Sequence, residues 1–351
     1  MHVEPKRSID LETVRRLAVT KQRLNRVPVS AGKAQVLETF QALGCVQIDP
    51  IRVVAPSPEL VLWSRLGVYD PADLDELLWQ DRELFEYWAH AASIVLMDNF
   101  PIHRHQMAAF GTGDSAYSRK AQRWLEENKS TREEILKELA DGPARSSLEL
   151  ETEADQLWHS TGWTNSQGVN HLLQLMWRKG EVAVGGRDGL RKHWTSGGRW
   201  YGSRLKADGI SLEEAVDRSV RIAVQALGVA TARHIENHFV RGFYPELEDS
   251  LRRHVTEGRL LPVEVAGTQA AEVWFVDPGD VDLIDRIQSG EWHGRTTLLS
   301  PFDNLTCDRD RSELLWNYDA RSELYVPKKD RVYGHYVIPI LFHDRLAGRI
   351  D

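Results

Sequence analysis

The apolar positions of the first hundred residues switch between helical and extended spacing. From Ser8 onward they recur every three or four residues, which predicts an amphipathic helix capped by Ser8. The same spacing predicts a helix over residues 33–43, ended by Gly44, because glycine adopts the backbone conformation that terminates helices. Residues 45–50 then alternate like a short strand, and the apolar, aromatic segment 84–96 favours buried strands, with a helix as the alternative.

Two later parts of the chain repeat a succession of helices followed by extended segments. In the first, helices predicted over 130–139 and 168–179 precede a strand and a Gly-Gly turn at 181–187. In the second, three predicted helices precede a strand pair: 211–227, 231–239 and 245–257, then 258–265 and 272–276. Helices followed by a two-stranded ribbon are typical of winged-helix modules, so the sequence predicts at least two of them.

The last part of the chain changes character. Strands predicted at 323–327 and 332–342 are joined by the basic turn Lys328-Lys329-Asp330-Arg331, which favours a separate small β domain. A strand-like pattern still runs at the final residues. We therefore expect the natural protein to continue beyond Asp351.

Composition narrows the class of protein. The 351 residues allow two or three domains, and 42% apolar residues can fill their cores. Two cysteines, Cys45 and Cys307, cannot build a disulfide framework, which favours a reducing cytoplasm. The N-terminus lacks an apolar signal segment, and residues 336–342 are far fewer than the ~20 of a membrane helix. Secreted, membrane and disordered classes are excluded, and a cytoplasmic protein is expected.

The charge is acidic overall but unevenly distributed. Forty-four Lys and Arg against 52 Asp and Glu give a formal net charge of −8, whereas nucleic-acid-binding proteins usually have a basic balance. Between residues 178 and 206, however, the basic residues outnumber Glu181 and Asp188: Arg178, Lys179, Arg187, Arg191, Lys192, Arg199, Arg204 and Lys206. Binding depends on the local field. This run is either a solvated face or an interface for an anionic partner.

Motifs for nucleotides and metals are missing from the sequence. It contains no Walker loop, no Rossmann glycine pattern, no HExxH and no CxxC. His103 and His105 are two positions apart and do not share a helix face, so metal ligation by this pair is not expected. No cofactor and no metal are predicted.

The segment Val46-Gln47-Ile48-Asp49-Pro50 suggests chemistry. In an extended strand Gln47 and Asp49 point to the same side, and Pro50 favours that extended geometry for Asp49. A carboxamide beside a carboxylate can hold and activate one water molecule. The alternative is that both side chains make local hydrogen bonds in neighbouring turns, as Asp and Gln often do.

Three long stretches resemble one known family. Residues 45–67 (CVQIDPIRVVAPSPELVLWSRLG), 84–92 (LFEYWAHAA) and 298–342 (beginning LLSPFDNLTCDRDRSELLW) are similar to bacterial winged-helix DNA glycosylases of the AlkZ and YcaQ type. The match runs in order over nearly the whole chain. It implies an α+β fold of three tandem winged-helix modules followed by a small C-terminal β-barrel-like domain. The expected boundaries are 1–97, with the Gln-Ile-Asp motif, 98–205, with the basic wing, 206–294 and 295–351.

The resemblance also implies an activity. The family excises N-alkylated bases, notably N7-alkylguanine, and unhooks interstrand crosslinks joined through such bases. Its catalytic signature is Gln-apolar-Asp in the YcaQ branch and Gln-apolar-Gln in the AlkZ branch, so Gln47-Ile48-Asp49 fits the former. Broad alkylation repair is therefore expected rather than resistance to one toxin. In this interpretation Asp49 activates water, Gln47 orients it, and the enzyme is a monofunctional N-glycosylase without a Schiff-base lysine.

The implied partner is double-stranded DNA carrying alkylated or crosslinked bases, bound by a monomer. The predicted DNA contacts are in the basic wing (Arg187, Arg191, Lys192, Arg199) and in the matched stretches (Arg52, Arg65, His90), the latter with a structural role as the alternative. Trp88 and Asp303 are candidates for groove lining. Tyr87, Trp88 and Phe302 are expected to be core aromatics rather than wedges between bases. In the family a basic DNA-binding hairpin follows the strand with which this chain ends.

Two other classes compete with the glycosylase. A winged-helix transcriptional regulator would bind DNA without activity, but it has no use for Gln47 and Asp49 aimed at one point. A nuclease would need the carboxylate cluster of a Mg²⁺ site, which the sequence lacks. A regulator should prefer a DNA sequence, whereas a glycosylase should prefer a lesion.

Overall fold

A computed structural model describes residues 5, 7–26, 31–154, 165–205, 209–268, 272–324 and 326–351. Lys206 and position 325 of a predicted strand, both included in the predictions above, lie outside these ranges. The chain divides into two compact units. Unit 1 comprises residues up to 84, 89–96 and 213–351, and unit 2 comprises residues 85–88 and 97–212.

The N-terminal segment forms β1 (Ser8–Asp10) and α1 (Leu11–Lys21). β1 pairs in parallel with residues 264–266, so Ser8 is part of a strand and the helix is capped by Asp10, which accepts a hydrogen bond from the Thr13 amide. This corrects the predicted Ser8 cap. The apolar side chains Ile9, Val14 and Leu17 pack in one core with side chains of residues between 229 and 287.

The first block supplies the strand that carries the Gln-Ile-Asp motif. Its elements are α2 (Lys33–Leu43), β2 (Cys45–Gln47), α3 (Ser57–Leu66), α4 (Pro71–Asp75), a π-helical turn (Glu76–Gln80), β3 (Leu84–Trp88) and β4 (Ala92–Leu96). β2 pairs antiparallel with β4. The helix predicted over 33–43 and the strands predicted within 84–96 are confirmed.

Gly44 sets the direction in which the chain leaves α2 and enters β2. Its φ is 77°, in the left-handed region that favours glycine, and its amide donates to the Phe40 carbonyl to end the helix. A Cβ at this position would lie 2.7 Å from Cγ2 of Ile222. Both the backbone conformation and the close packing therefore require glycine here.

The second block begins with a short 3₁₀ turn (Met97–Asn99). It continues with α5 (Phe100–Ala109), α6 (Ala116–Glu127), α7 (Lys129–Asp141), β5 (Arg145–Ser146), α8 (Ser147–Ala154), α9 (Asn165–Arg178), β6 (Val182–Asp188), β7 (Arg191–Ser196), α10 (Gly197–Tyr201) and a 3₁₀ turn (Gly202–Leu205). The strands form an antiparallel sheet in the order β5-β7-β6. The predicted strand and Gly-Gly turn at 181–187 is one long strand, bulged between Val184 and Gly186.

The third block repeats this succession of elements. It contains α11 (Leu212–Leu227), β8 (Val229–Thr231), α12 (Ala232–His238), α13 (Leu247–Thr256), β9 (Leu261–Ala266), β10 (Trp274–Val276), a 3₁₀ turn (Pro278–Asp280) and α14 (Val281–Gln288). Its sheet has the order β1-β9-β10-β8. Among the block's own three strands, the first, β8, pairs with the last, β10. In the same way β5 pairs with β7 in the second block.

The C-terminal part contains β11 (Thr296–Leu298), α15 (Arg309–Trp316), a 3₁₀ turn (Lys328–Asp330), β12 (Ile338–Phe342) and β13 (Arg345–Ile350). Its three strands form an open antiparallel sheet in the order β11-β12-β13, so the described residues form no closed barrel. Among them the expected strand at 323–327 does not form. Glu323 instead accepts hydrogen bonds from the amides of Val332, Tyr333 and Gly334, which holds that segment as a loop.

Within the described ranges, no helix is long and apolar enough to cross a membrane.

Candidate active site

The Gln-Ile-Asp motif lies at the end of β2. Cys45 and Gln47 pair with Val95 and Ser93 of β4, and the Ile48 amide donates to the Ala92 carbonyl at 2.8 Å, so the extended geometry continues past Gln47. Cys45 is buried, whereas Gln47 and Asp49 are partly exposed. Alternate residues of a strand share a face, so β2 presents a buried thiol and then a more accessible carboxamide on one side.

Asp49 combines a local hydrogen bond with a free oxygen. Its Oδ1 accepts from the Ile51 amide at 2.8 Å, which is the local turn contact that the sequence left open as an alternative. No described residue donates a hydrogen bond to Oδ2. Partial burial raises the pKa of Asp49 above its usual value, and the Ile51 amide opposes that shift. One carboxylate oxygen is therefore anchored and the other can accept a proton.

Tyr336 is a neighbour of Asp49 that the sequence did not identify. Its side chain is buried, and its hydroxyl has no hydrogen-bond partner among the described residues. Burial, with the negative charge of Asp49 as a second cause, raises the pKa of Tyr336. The phenol is therefore neutral near neutral pH. No local pattern marked it, because it lies in a segment without regular secondary structure.

His90 contacts both polar residues of β2. Its Nδ1 lies 3.5 Å from Sγ of Cys45, and its Nε2 lies 3.2 Å from Oε1 of Gln47. Burial lowers the pKa of His90 to about 3, with His238 and Arg241 adding to the effect. The ring is 8% exposed. The buried, neutral imidazole thus offers little surface for the DNA contact predicted for His90, and its surroundings fit the structural alternative.

Arg65 and Asp303 form a buried ion pair. Both side chains have no exposed surface, and the guanidinium makes two hydrogen bonds to the carboxylate, one of them 2.8 Å long. Arg65 also donates to the carbonyl and side-chain oxygens of Gln22. These surroundings fit the structural alternative for Arg65, and neither side chain has exposed surface that could contact DNA.

Asn304, next to Asp303, bonds to the strand that carries the motif. Its Nδ2 donates to the Cys45 carbonyl at 2.7 Å. The sequence stretch beginning SPFDN is thus fixed to the first block by a hydrogen bond from a side chain to the backbone. Asn304 was not singled out from the sequence, because an asparagine is common in loops. Its place in the stretch 298–342, which resembles the family, was the available signal.

The remaining candidates of the matched stretches differ in exposure. Arg52 is exposed. Burial raises the pKa of the Glu59 carboxyl, and the positive charge of Arg52 opposes this shift without cancelling it. Tyr87 is 1% exposed and donates to the Arg178 carbonyl at 2.7 Å, so the prediction of a core aromatic is confirmed. Trp88 and Phe302 are partly exposed, and the Arg178 guanidinium lies 4.3 Å from the Trp88 ring centroid.

The basic residues of the β6–β7 hairpin and of α10, which carries Arg199, have different surroundings within unit 2. Arg187 makes an ion pair with the buried carboxylate of Glu86. Lys192 lies 4.3 Å from the ring centroid of Trp177 and also contacts Trp194, and burial lowers its pKa to about 8. Arg191 and Arg199 are exposed, with Arg199 donating to the Gly142 carbonyl. The two exposed arginines are the cations of this group that are most accessible to a partner.

Among the described residues, no group of three or more His, Cys, Asp or Glu side chains is arranged to hold a metal ion. The candidate site comprises the Asp49 carboxylate, whose Oδ2 has no described donor, the Gln47 carboxamide in contact with the His90 imidazole, and the neighbouring Tyr336 phenol.

A DNA glycosylase family model matches most of the chain, so this protein of mixed α+β fold is a DNA glycosylase. More narrowly, it belongs to the AlkZ-like DNA glycosylase family, whose sequence model, described as "DNA glycosylase AlkZ-like", matches residues 40–351. The structure is similar to that of the Streptomyces sahachiroi DNA glycosylase AlkZ. The TM-score is 0.66 at 17% sequence identity, covering 97% of this chain and 87% of that chain.

Proposed function

We propose that the protein is a monofunctional DNA glycosylase that repairs alkylated DNA by hydrolysing the N-glycosidic bond of alkylated purines, N7-alkylguanine in particular. The observation that carries the proposal is the end of β2 in a member of the AlkZ-like family. There Asp49 keeps one carboxylate oxygen free of described donors while Ile51 anchors the other.

The chemistry requires little beyond a placed water molecule. Alkylation at N7 gives the purine a positive charge, so the base leaves without a general acid. Water attacks C1′ of the sugar, the bond from C1′ to N9 breaks, and its electron pair neutralises the purine. Asp49 accepts the proton of the water and stabilises the positive charge that develops on the sugar. Gln47 orients the water through its amide group.

The motif supports a finer assignment. Gln47-Ile48-Asp49 carries the carboxylate of the YcaQ branch rather than the second glutamine of the AlkZ branch, and we assign the chain to the former. Gln47 and Asp49 are both partly exposed. A site of this kind suits a base that stays tethered to the opposite strand, so we include interstrand crosslinks among the substrates.

The DNA would be bound by winged-helix modules. The second and third blocks share one succession of elements, and in both sheets the first strand lies beside the last. In the first block, β2 likewise pairs with the last strand, β4. We propose that these three blocks are winged-helix modules of a cytoplasmic, monomeric enzyme. Arg52, Arg191 and Arg199 are exposed and are assigned to phosphate contacts, which confer a steep salt dependence.

The test is single-turnover excision of N7-methylguanine from a duplex, detected as alkali-dependent strand breaks, with DNA affinity measured in parallel. Asp49→Asn should lower the rate by about 10²–10⁴-fold, the range for a lost general base. Gln47→Ala should lower it less, and neither change should weaken binding much. Asp282→Asn alters an exposed carboxylate on α14 and should leave both quantities unchanged.

The outcomes separate the proposal from a DNA-binding regulator. Firm binding of a preferred DNA sequence by the wild type, without excision of any alkylated base, would favour the regulator. Strand breaks that appear without alkali treatment would contradict the monofunctional assignment. Retention of the full rate in Asp49→Asn would remove Asp49 from the mechanism.

A further inference from the structure

The imidazole of His90 spans two side chains on one face of β2. Cys45 and Gln47 are two residues apart on the strand, and the ring reaches the first through Nδ1 at 3.5 Å and the second through Nε2 at 3.2 Å. The Cys45 carbonyl is itself fixed by the Asn304 amide. The side chains of Cys45, His90 and Gln47 form a short chain of hydrogen bonds that ends at Gln47.

The acceptor at the end of this chain determines where the protons are. In the amide orientation of this structure Oε1 of Gln47 faces Nε2 of His90 and can only accept a hydrogen bond, so Nε2 is the nitrogen that carries the proton. In a neutral imidazole Nδ1 is then the acceptor, and the Cys45 thiol is the donor that faces it. Burial favours both neutral forms, because it lowers the pKa of His90 to about 3 and raises the pKa of Cys45 well above its usual range.

The consequence concerns the two ends of the Gln47 amide. A glutamine without such a contact can exchange the positions of its oxygen and its NH₂ group by rotation. With Oε1 bound by His90, the NH₂ group is the end left to contact a water molecule, and it donates to the water oxygen. The protons of the water then remain for Asp49. In the reversed amide, Oε1 would compete with Asp49 for those protons.

We propose that His90 is a positioning residue that fixes the Gln47 amide with its NH₂ group towards the attacking water, and that the Cys45 thiol holds the imidazole in the tautomer this requires. This inference rests on the proposed function of Gln47 and Asp49. It replaces the DNA-contact role that the sequence suggested for His90.

Two conservative variants separate the two ring nitrogens. The amide nitrogen of glutamine is as many bonds from Cβ as Nε2 of histidine, and that of asparagine as many as Nδ1. His90→Gln should therefore keep the donor to Gln47 and retain most of the single-turnover rate. His90→Asn and His90→Leu should lose on the order of 10- to 100-fold, because small misplacements of a reacting group cost that much. The dissociation constant for duplex DNA should stay unchanged in all three.

A spectroscopic measurement tests the same arrangement without activity. In protein labelled with ¹⁵N-histidine, the resonances lost in His90→Gln identify His90, and their shifts should report a neutral ring protonated at Nε2 near pH 7. Cys45→Ala removes the thiol that faces Nδ1 and should alter that pattern, whereas Cys307→Ala is the matched control. Thermal unfolding of each variant checks that it is folded.

Several results would overturn the inference. A ring protonated at Nδ1, or an imidazolium at neutral pH, would contradict the hydrogen-bond chain. A full rate in His90→Leu, or equal losses in His90→Gln and His90→Leu, would show that Nε2 does not act on Gln47. If the wild type excises no alkylated base, the proposed function fails and takes the positioning role with it. If the wild type is active and only the His90 pattern is absent, this inference alone fails.

Discussion

Asp49 and Asp303 make the same local hydrogen bond but differ in burial and charge pairing. Oδ1 of each accepts from the amide two residues later, Ile51 in one case and Leu305 in the other, at 2.8 and 2.9 Å. Asp303 is fully buried and its charge is paired with Arg65. Asp49 is partly exposed, and no described cation pairs with it. One turn geometry thus occurs both in a carboxylate that is buried with an opposite charge and in a partly exposed carboxylate that no described cation pairs with.

The largest expected effect is on the free energy of unfolding. Asp303→Asn leaves the Arg65 guanidinium buried without its counter-charge, which should destabilise the protein by about 3–5 kcal/mol. Asp49→Asn should have the opposite sign. Because burial raises the folded-state pKa of Asp49 above the unfolded value, the stability linked to its protonation is present at low pH and is lost as pH rises through the folded pKa.

At pH 7 the Asp49→Asn variant should therefore equal or slightly exceed the wild type in stability. Denaturant unfolding of the two variants, beside Asp282→Asn as a surface control, measures the contrast. Equal destabilisation by Asp49→Asn and Asp303→Asn would mean that both carboxylates are structural, and the comparison would collapse.

The pH dependence of excision sharpens the role of Asp49. A general base must be ionised, so the single-turnover rate should fall about tenfold for each pH unit below its pKa. The inflection should lie above the ordinary aspartate value of about 3.9, since burial raises the pKa of Asp49. Gln47→Ala should lower the rate without moving the inflection. Spontaneous base loss, measured without protein, is subtracted at each pH, and a rate independent of pH down to 3.9 would argue against Asp49 as the base.

The smallest expected effect comes from the corresponding contrast between arginines. Arg65 is buried and paired, whereas Arg191 is exposed on the β6–β7 hairpin. If Arg191 contacts one phosphate, Arg191→Ala should reduce the slope of log affinity against log salt by about 0.9. Arg286→Ala removes an exposed arginine from α14 and serves as the charge-matched control. Identical slopes for both variants would exclude a specific contact at Arg191.

Local patterns predicted the elements better than their partners. The helix at 33–43 and the strands within 84–96 follow from spacing and from Gly44, which are local properties of the chain. The placement of β1 was not predictable, because it depends on pairing with residues distant in sequence. The loop around Glu323 likewise depends on where one carboxylate finds three backbone amides.

The candidate site shows the same limit. Alternation along the strand was enough to select Gln47 and Asp49, and it places Cys45 on the same face. The burial of His90 and Arg65 could not be predicted from the sequence. Residue type alone does not distinguish a buried histidine or arginine from an exposed one. Burial and charge pairing arise only when distant segments pack together, and they decide which polar residues are free to act.

The parallel pairing of β1 with β9 has a consequence for how the protein is made. Glu264, the partner of Ser8, is synthesised ~250 residues after it, at ~5–20 residues per second on the order of 10–50 s later. During that interval β1 is an unpaired edge, and the apolar face of α1 has neither the third block nor the C-terminal sheet to cover it. β1 and the apolar face of α1 are thus synthesised well before the segments that cover them, and they are a site at which a chaperone can bind the nascent chain.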